Sequence, residues 1–169
     1  MGWLRSFWTQ PSWKYRNSQI AFLILALQFI IPAFSYTFTP HVAIDQFLQV
    51  NKILGGITYA EQAAENASFV WCYLGAANVM TLGFMCALLF FNLRKFYIVV
   101  VPLTFMKAYV ATMWLVGWTM HTGYMFFLSA AILDYVTSAA FLYFSISAYN
   151  DIKNRPDSQL VPVPGWKKG

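Results

Sequence analysis

Charge is what this sequence has least of. Only 10% of its 169 residues are Asp, Glu, Lys or Arg, against about 25% in an ordinary soluble domain. Hydrophobic residues make up 59% of the chain and aromatic ones 20%. A soluble domain of this size and composition would expose far more apolar surface than water tolerates. A disordered tail, a nucleic-acid-binding domain and a typical soluble enzyme are excluded together. The class that remains is an integral membrane protein, with lipid as its main solvent.

Signatures of reaction chemistry are missing too. There is no Cys-x-x-Cys, no His-Glu-x-x-His, no Gly-rich phosphate loop and no nucleophile elbow. The two cysteines, Cys72 and Cys86, are 14 residues apart in one apolar run. On a helix that is about 21 Å, too far for a disulfide. Neither histidine, His41 or His121, lies inside an apolar run near mid-membrane. A pair of buried haem ligands is therefore absent, and a single haem or chlorophyll ligand at His121 has no other residue to support it. The sequence implies no particular cofactor, and its four-run layout carries no motif diagnostic of a family.

What the chain does have is four long apolar runs: 19–38, 69–93, 96–120 and 123–149. Each is about 20 residues or more, enough to cross a hydrocarbon core of about 30 Å. The runs are continuous rather than alternating, which excludes a β-barrel. The first is too long for the core of a signal peptide and reads as a span. The fold expected is an all-α integral membrane protein, with four transmembrane helices in an antiparallel bundle. Residues 1–18 form an N-terminal segment, 19–149 the transmembrane domain with an outer loop at 39–68, and 150–169 a proline-containing tail. The opening Met1-Gly2-Trp3-Leu4-Arg5-Ser6 fits the loose myristoylation pattern poorly because of bulky Trp3.

Lys and Arg set the orientation. Arg5, Lys14 and Arg16 precede the first run, Arg94 and Lys95 join the second to the third, and Lys153, Arg155, Lys167 and Lys168 follow the fourth. Four spans put all of these on one side, and the loops of the other side hold only Lys52. The positive-inside rule then places both termini in the cytoplasm, with a bacterial inner membrane favoured and an organelle membrane as the other setting. In the outer loop, Thr39-Pro40 reads as a helix start, and Ile44, Phe47, Leu48 and Leu54 recur near helical spacing until Gly55-Gly56 stops them. This predicts a short amphipathic helix over 41–54, lying on the outer surface or capping the bundle mouth. Pro156, Pro162 and Pro164 keep the tail from being one helix. That leaves it disordered or laid on a partner, with Trp166 and the following lysines suited to an interface anchor. Pro32 and Pro102 are expected to kink the first and third spans.

The candidate site is a set of polar residues at mid-span. Lys107 lies 14 residues before His121 and Asp134 lies 13 after it. A hairpin turning there brings the two to one depth. An isolated charge at that depth costs about 2.5–3.5 kcal/mol on insertion scales, and pairing removes most of it. Gln28 and Asn78 fall about ten residues into their own runs, so each helix is expected to add one polar residue to a middle layer. The layer reads either as a lock on helix register or as a ligand or proton site. In the second run Ala76, Gly83 and Ala87 form a small-residue stripe, and Asn78 points about 200° from Ala76. That helix therefore offers packing surfaces on two sides, one for its own bundle and one available to a second protein; small residues of this kind also fill ordinary bundles, which is the favoured reading. Metal candidates on the outer side are His41, Asp45, Glu61, Glu65 and His121, in which His41/Asp45 and Glu61/Glu65 are each four apart. The spacing suits a shared helical side but matches no metal-site signature, and a solvated acidic rim is the favoured reading. Asn66-Ala67-Ser68 is a glycosylation sequon set too close to the second span for a glycan.

These features point to a non-catalytic accessory or scaffolding subunit of a larger membrane complex. The alternative is a small lipid- or quinone-type binding protein, or an isomerase on such a substrate, working through Lys107 and Asp134. A proton-coupled carrier is disfavoured by the single charged pair. The expected partners are membrane lipids and other membrane subunits, not nucleic acid.

Overall fold

The computed structural model describes residues 2–56, 65–120 and 124–161, with side chains from Leu4 in the first helix and from Trp71 in the fourth. Six α-helices follow one another: α1 (Gly2–Thr9), α2 (Trp13–Phe38), α3 (Pro40–Ile53), α4 (Glu65–Phe91), α5 (Val100–Met120) and α6 (Met125–Asn154). Single 3-10 turns occupy Tyr97–Val99 and Asp157–Gln159. No strand occurs among the described residues.

Four segments are long and apolar enough to cross a membrane: Trp13–Phe38, Trp71–Phe91, Tyr97–Met120 and Met125–Asn154. The chain is a multi-pass integral membrane protein. α2 begins six residues before the apolar run, because Ser12 caps it: the Ser12 hydroxyl accepts the Tyr15 amide at 3.0 Å. That bond satisfies one of the amides that a helix start leaves free. α6 likewise runs on to Asn154 through a polar turn.

α2 is the central element. It packs on α4 along one side and on α6 along another, and α5 packs on α6. Against α4, the Gln19 amide reaches the Phe90 carbonyl, Ala26 and Ile30 flank Gly83, and Tyr36 lies beside Gly75. Against α6, Ser18 meets the Phe144 carbonyl, and the Phe22 and Phe141 rings stack at 6.1 Å. The buried core runs between these faces through Phe22, Phe29, Leu82, Cys86, Leu89, Leu103 and Phe141. Gly83 permits a close approach. A Cβ there would lie 2.6 Å from Ile30 Cγ1 and 3.4 Å from the Ala26 carbonyl oxygen, so only glycine lets the α2 and α4 backbones come this near.

Several local expectations change. α3 begins at Pro40, but Thr39 does not cap it: its hydroxyl turns back to the Ser35 carbonyl at 3.1 Å, bracing the end of α2. The stripe of α3 facing the bundle is Ala43, Phe47 and Asn51, with Asn51 fully buried. Phe47 rests on Phe126 (4.9 Å between centroids) and Tyr36 (5.6 Å), while Leu48, Val50 and Ile53 are exposed. Gly55 ends α3 at φ 74°, a left-handed conformation that suits glycine. Pro102 sits in the first turn of α5, where its missing N–H costs little, whereas Pro32 is inside α2. The sequon at Asn66 lies within α4.

Candidate functional site

Lys107 on α5 and Asp134 on α6 meet at mid-span, the Lys107 ammonium donating to Asp134 Oδ1. Both residues are buried, at 8% and 7% exposure. The depth match follows from the α5–α6 pairing: one turn away the Ser138 hydroxyl donates to the Thr104 carbonyl at 3.2 Å, and further along Phe127 faces Gly117. α2 closes the pair from above the ammonium. The Lys107 Nζ lies 4.8 Å from the centroid of the buried Phe29 ring. A cation over a desolvated aromatic face gains about 2 kcal/mol. It also gives Lys107 a favourable contact that hydrocarbon could not supply. Three spans, α2, α5 and α6, therefore meet at this layer.

Gln28 and Asn78 do not join it. Gln28 shares the depth of Phe29 but is turned 100° from it, and it is exposed on the outside of α2. Asn78 is exposed on α4, on the side away from Ala76 and Gly83, which face inward. Neither amide has a hydrogen-bond partner among the described residues, and Pro32 further denies the Gln28 carbonyl its usual helical donor. The middle layer is thus a charged pair with an aromatic lid inside and two uncommitted amides outside.

Of the metal candidates, His41 and Asp45 are exposed along α3. Glu61 and His121 lie outside the described residues, as does the Glu65 side chain. Among the described residues no three His, Cys, Asp or Glu side chains converge. Both Cys72 and Cys86 are free thiols.

A second polar layer, missed from the sequence, joins the N-terminal segment, the α4–α5 turn and the tail. Ser12 donates to Asp151, which also takes Arg155 Nε at 2.9 Å. Arg94 donates to Asp157 at 2.7 Å and to the Arg155 carbonyl at 2.8 Å, and its amide reaches the Tyr15 hydroxyl at 3.2 Å. The buried Gln10 accepts the Val161 N–H at 3.2 Å, and the buried Gln19 donates to the Val161 carbonyl at 3.3 Å. Residues 155–161 therefore fold back onto this chain's own helices, with Leu160 buried. The rest of the tail, with Trp166, Lys167 and Lys168, lies outside the described residues. The signal for this layer was the run of helix-end polar residues Gln10, Ser12, Ser18 and Gln19, which composition alone marks only as a flank.

No protein-family model matches the chain, and no curated protein or solved structure matches it either.

Proposed function

We propose that the protein is a non-catalytic accessory or scaffolding subunit of a larger membrane complex, built as an antiparallel four-helix bundle with α3 as an amphipathic helix at its outer rim. The observation that carries this is the placement of Gln28 and Asn78, exposed amides at mid-span. In hydrocarbon an amide finds no donor or acceptor, and interhelical hydrogen bonds are the usual remedy, worth about 1–2 kcal/mol in model peptides. Asn78 sits with exposed Ala77 and Thr81, a small and polar surface suited to another helix.

The pair fits the same reading. Lys107 and Asp134 are spent on each other and on Phe29, so they serve helix register. A ligand or isomerase role would need that pair open to substrate, and its burial among α2, α5 and α6 disfavours it. The basic segments meet at one end, which supports an orientation with both termini cytoplasmic, most simply in a bacterial inner membrane.

Native mass spectrometry after gentle solubilisation tests the proposal. Wild-type protein is expected to retain other membrane subunits, and a Gln28→Leu/Asn78→Leu variant to lose them while folding normally. A wild-type chain that emerges alone, or a variant with unchanged partners, overturns it.

A further inference from the structure

A cavity of about 220 Å³ opens between α2 and α6 at the basic end, lined by Trp13, Lys14, Asn17, Tyr143, Phe144 and Ser147. It lies at the level of the Ser12–Asp151 and Ser18–Phe144 contacts, where the apolar spans give way to polar ends. Its chemistry is divided. Lys14 and Asn17 are exposed and bring N–H donors, while Trp13, Tyr143 and Phe144 bring aromatic walls. The Lys14 ammonium stands 5.9 Å from the Trp13 ring centroid. Ser147 spends its proton on the Phe144 carbonyl at 2.9 Å. The nearby carboxylate, Asp151, is already taken by Ser12 and Arg155. Arg5, Arg16, Lys95 and Lys153 add positive charge at the same end, and exposed Leu4, Trp8 and Trp13 have the character of interface anchors. The cavity is smaller than the roughly 300–1,000 Å³ of a pocket that swallows a whole small molecule. It suits a headgroup whose tails remain outside, along the helices.

We propose that this notch binds the phosphate headgroup of an anionic glycerophospholipid of the adjoining leaflet, with Lys14 and Asn17 on the phosphate and Trp13 and Tyr143 flanking it. A net negative headgroup is preferred because a zwitterionic one would bring its own cation against Lys14. The site does not depend on the chain's being a subunit of a complex.

The test is a native mass-spectrometric titration of the purified full-length protein with phosphatidylglycerol and with phosphatidylcholine of the same acyl chains. Wild type is expected to bind one phosphatidylglycerol more tightly than phosphatidylcholine. Asn17→Leu, a charge-neutral change at an exposed position, should weaken phosphatidylglycerol about tenfold, and Lys14→Gln by at least as much. Ser147→Trp should fill the notch and abolish the preference with all charges kept. Lys153→Gln, at the same end but outside the notch, should cost no more than about fivefold, the ordinary effect of one surface cation. Millimolar inorganic phosphate should not displace the lipid. Equal binding of the two lipids, displacement by inorganic phosphate, or unchanged binding in Asn17→Leu and Lys14→Gln overturns the proposal. Should Ser147→Trp fail to fold, those two exposed-site variants decide it.

Discussion

The side-chain oxygen of Asn51 accepts the backbone N–H of Phe126 at 3.1 Å, so a residue near the end of α3 caps the start of α6. Tyr124, the local cap position, does not cap α6 with its side chain. Asn51 is fully buried, and a Cβ on Gly56 would fall 2.2 Å from the same oxygen. One side chain therefore joins α3, its terminating glycines and α6.

Asn51→Leu is expected to cost about 1–2 kcal/mol, the ordinary loss for a helix cap. It should lower the melting temperature in detergent and speed hydrogen exchange at the Phe126 amide. Gly56→Ala strikes the same side chain, so the two changes should combine non-additively. Gln49→Leu, exposed on the same helix, should leave the melting temperature within the error of measurement.

Gly83→Leu should be among the most harmful single changes in the spans. It forces α2 and α4 apart at Ile30 and Ala26, with an overpacking cost of about 1–3 kcal/mol. Gly75→Ala meets only ordinary contact with Tyr36, at 3.9 Å, and should be tolerated. Thermal unfolding of the two variants side by side checks the contrast. Equal stability would mean that the α2–α4 contact at Gly83 has room for a side chain.

The tail's attachment should depend more on buried amides than on its ion pair. Arg94–Asp157 is partly exposed, at 34% and 63%, and pairs of that kind contribute about 0–1 kcal/mol. Asp157→Ala should therefore be nearly silent. Gln19→Leu removes a buried donor shared by the Phe90 and Val161 carbonyls, and should release residues 155–161 to proteolysis. The reverse ranking would show that the surface charges hold the tail.

Much of this architecture was legible in the sequence, because span length and depth can be counted along a chain. The four runs, the Gly55–Gly56 stop and the meeting of Lys107 with Asp134 all follow from counting. Azimuth is harder. Gln28 lies at the depth of the pair yet faces outward, since one residue along a helix is a 100° turn. For Asn78 the clue was present: the small stripe of Ala76 and Gly83 marks the inward side, and Asn78 points about 200° from Ala76. Depth alone suggests a four-residue layer that this angle forbids. Long-range polar contacts such as Asn51 with Phe126 and Gln10 with Val161 leave no periodic trace, because they join segments far apart in the chain.

Orientation is open to labelling. In a Cys72→Ser/Cys86→Ala background, a cysteine at exposed Gln49 should react with an impermeant thiol reagent in intact cells. A cysteine at exposed Lys153 should react only after the membrane is breached. Reversed accessibility would show that the basic end faces outward.

The most direct test of the account is a double-mutant cycle on the buried pair. Asp134→Ala leaves the Lys107 ammonium in an apolar layer with only the Phe29 ring, and Lys107→Ala leaves the carboxylate bare. Removing one member of a buried pair typically costs about 3–5 kcal/mol, whereas replacing both with apolar residues can be close to neutral. Folded yield, read as the monodisperse fraction after detergent extraction, is the measurement. Each single variant should lower it, and Lys107→Met/Asp134→Leu should recover it together with the wild-type partners. A recovered fold without partners would move the pair from register to function. Single variants that fold normally, with no rescue in the double, would contradict the pairing itself.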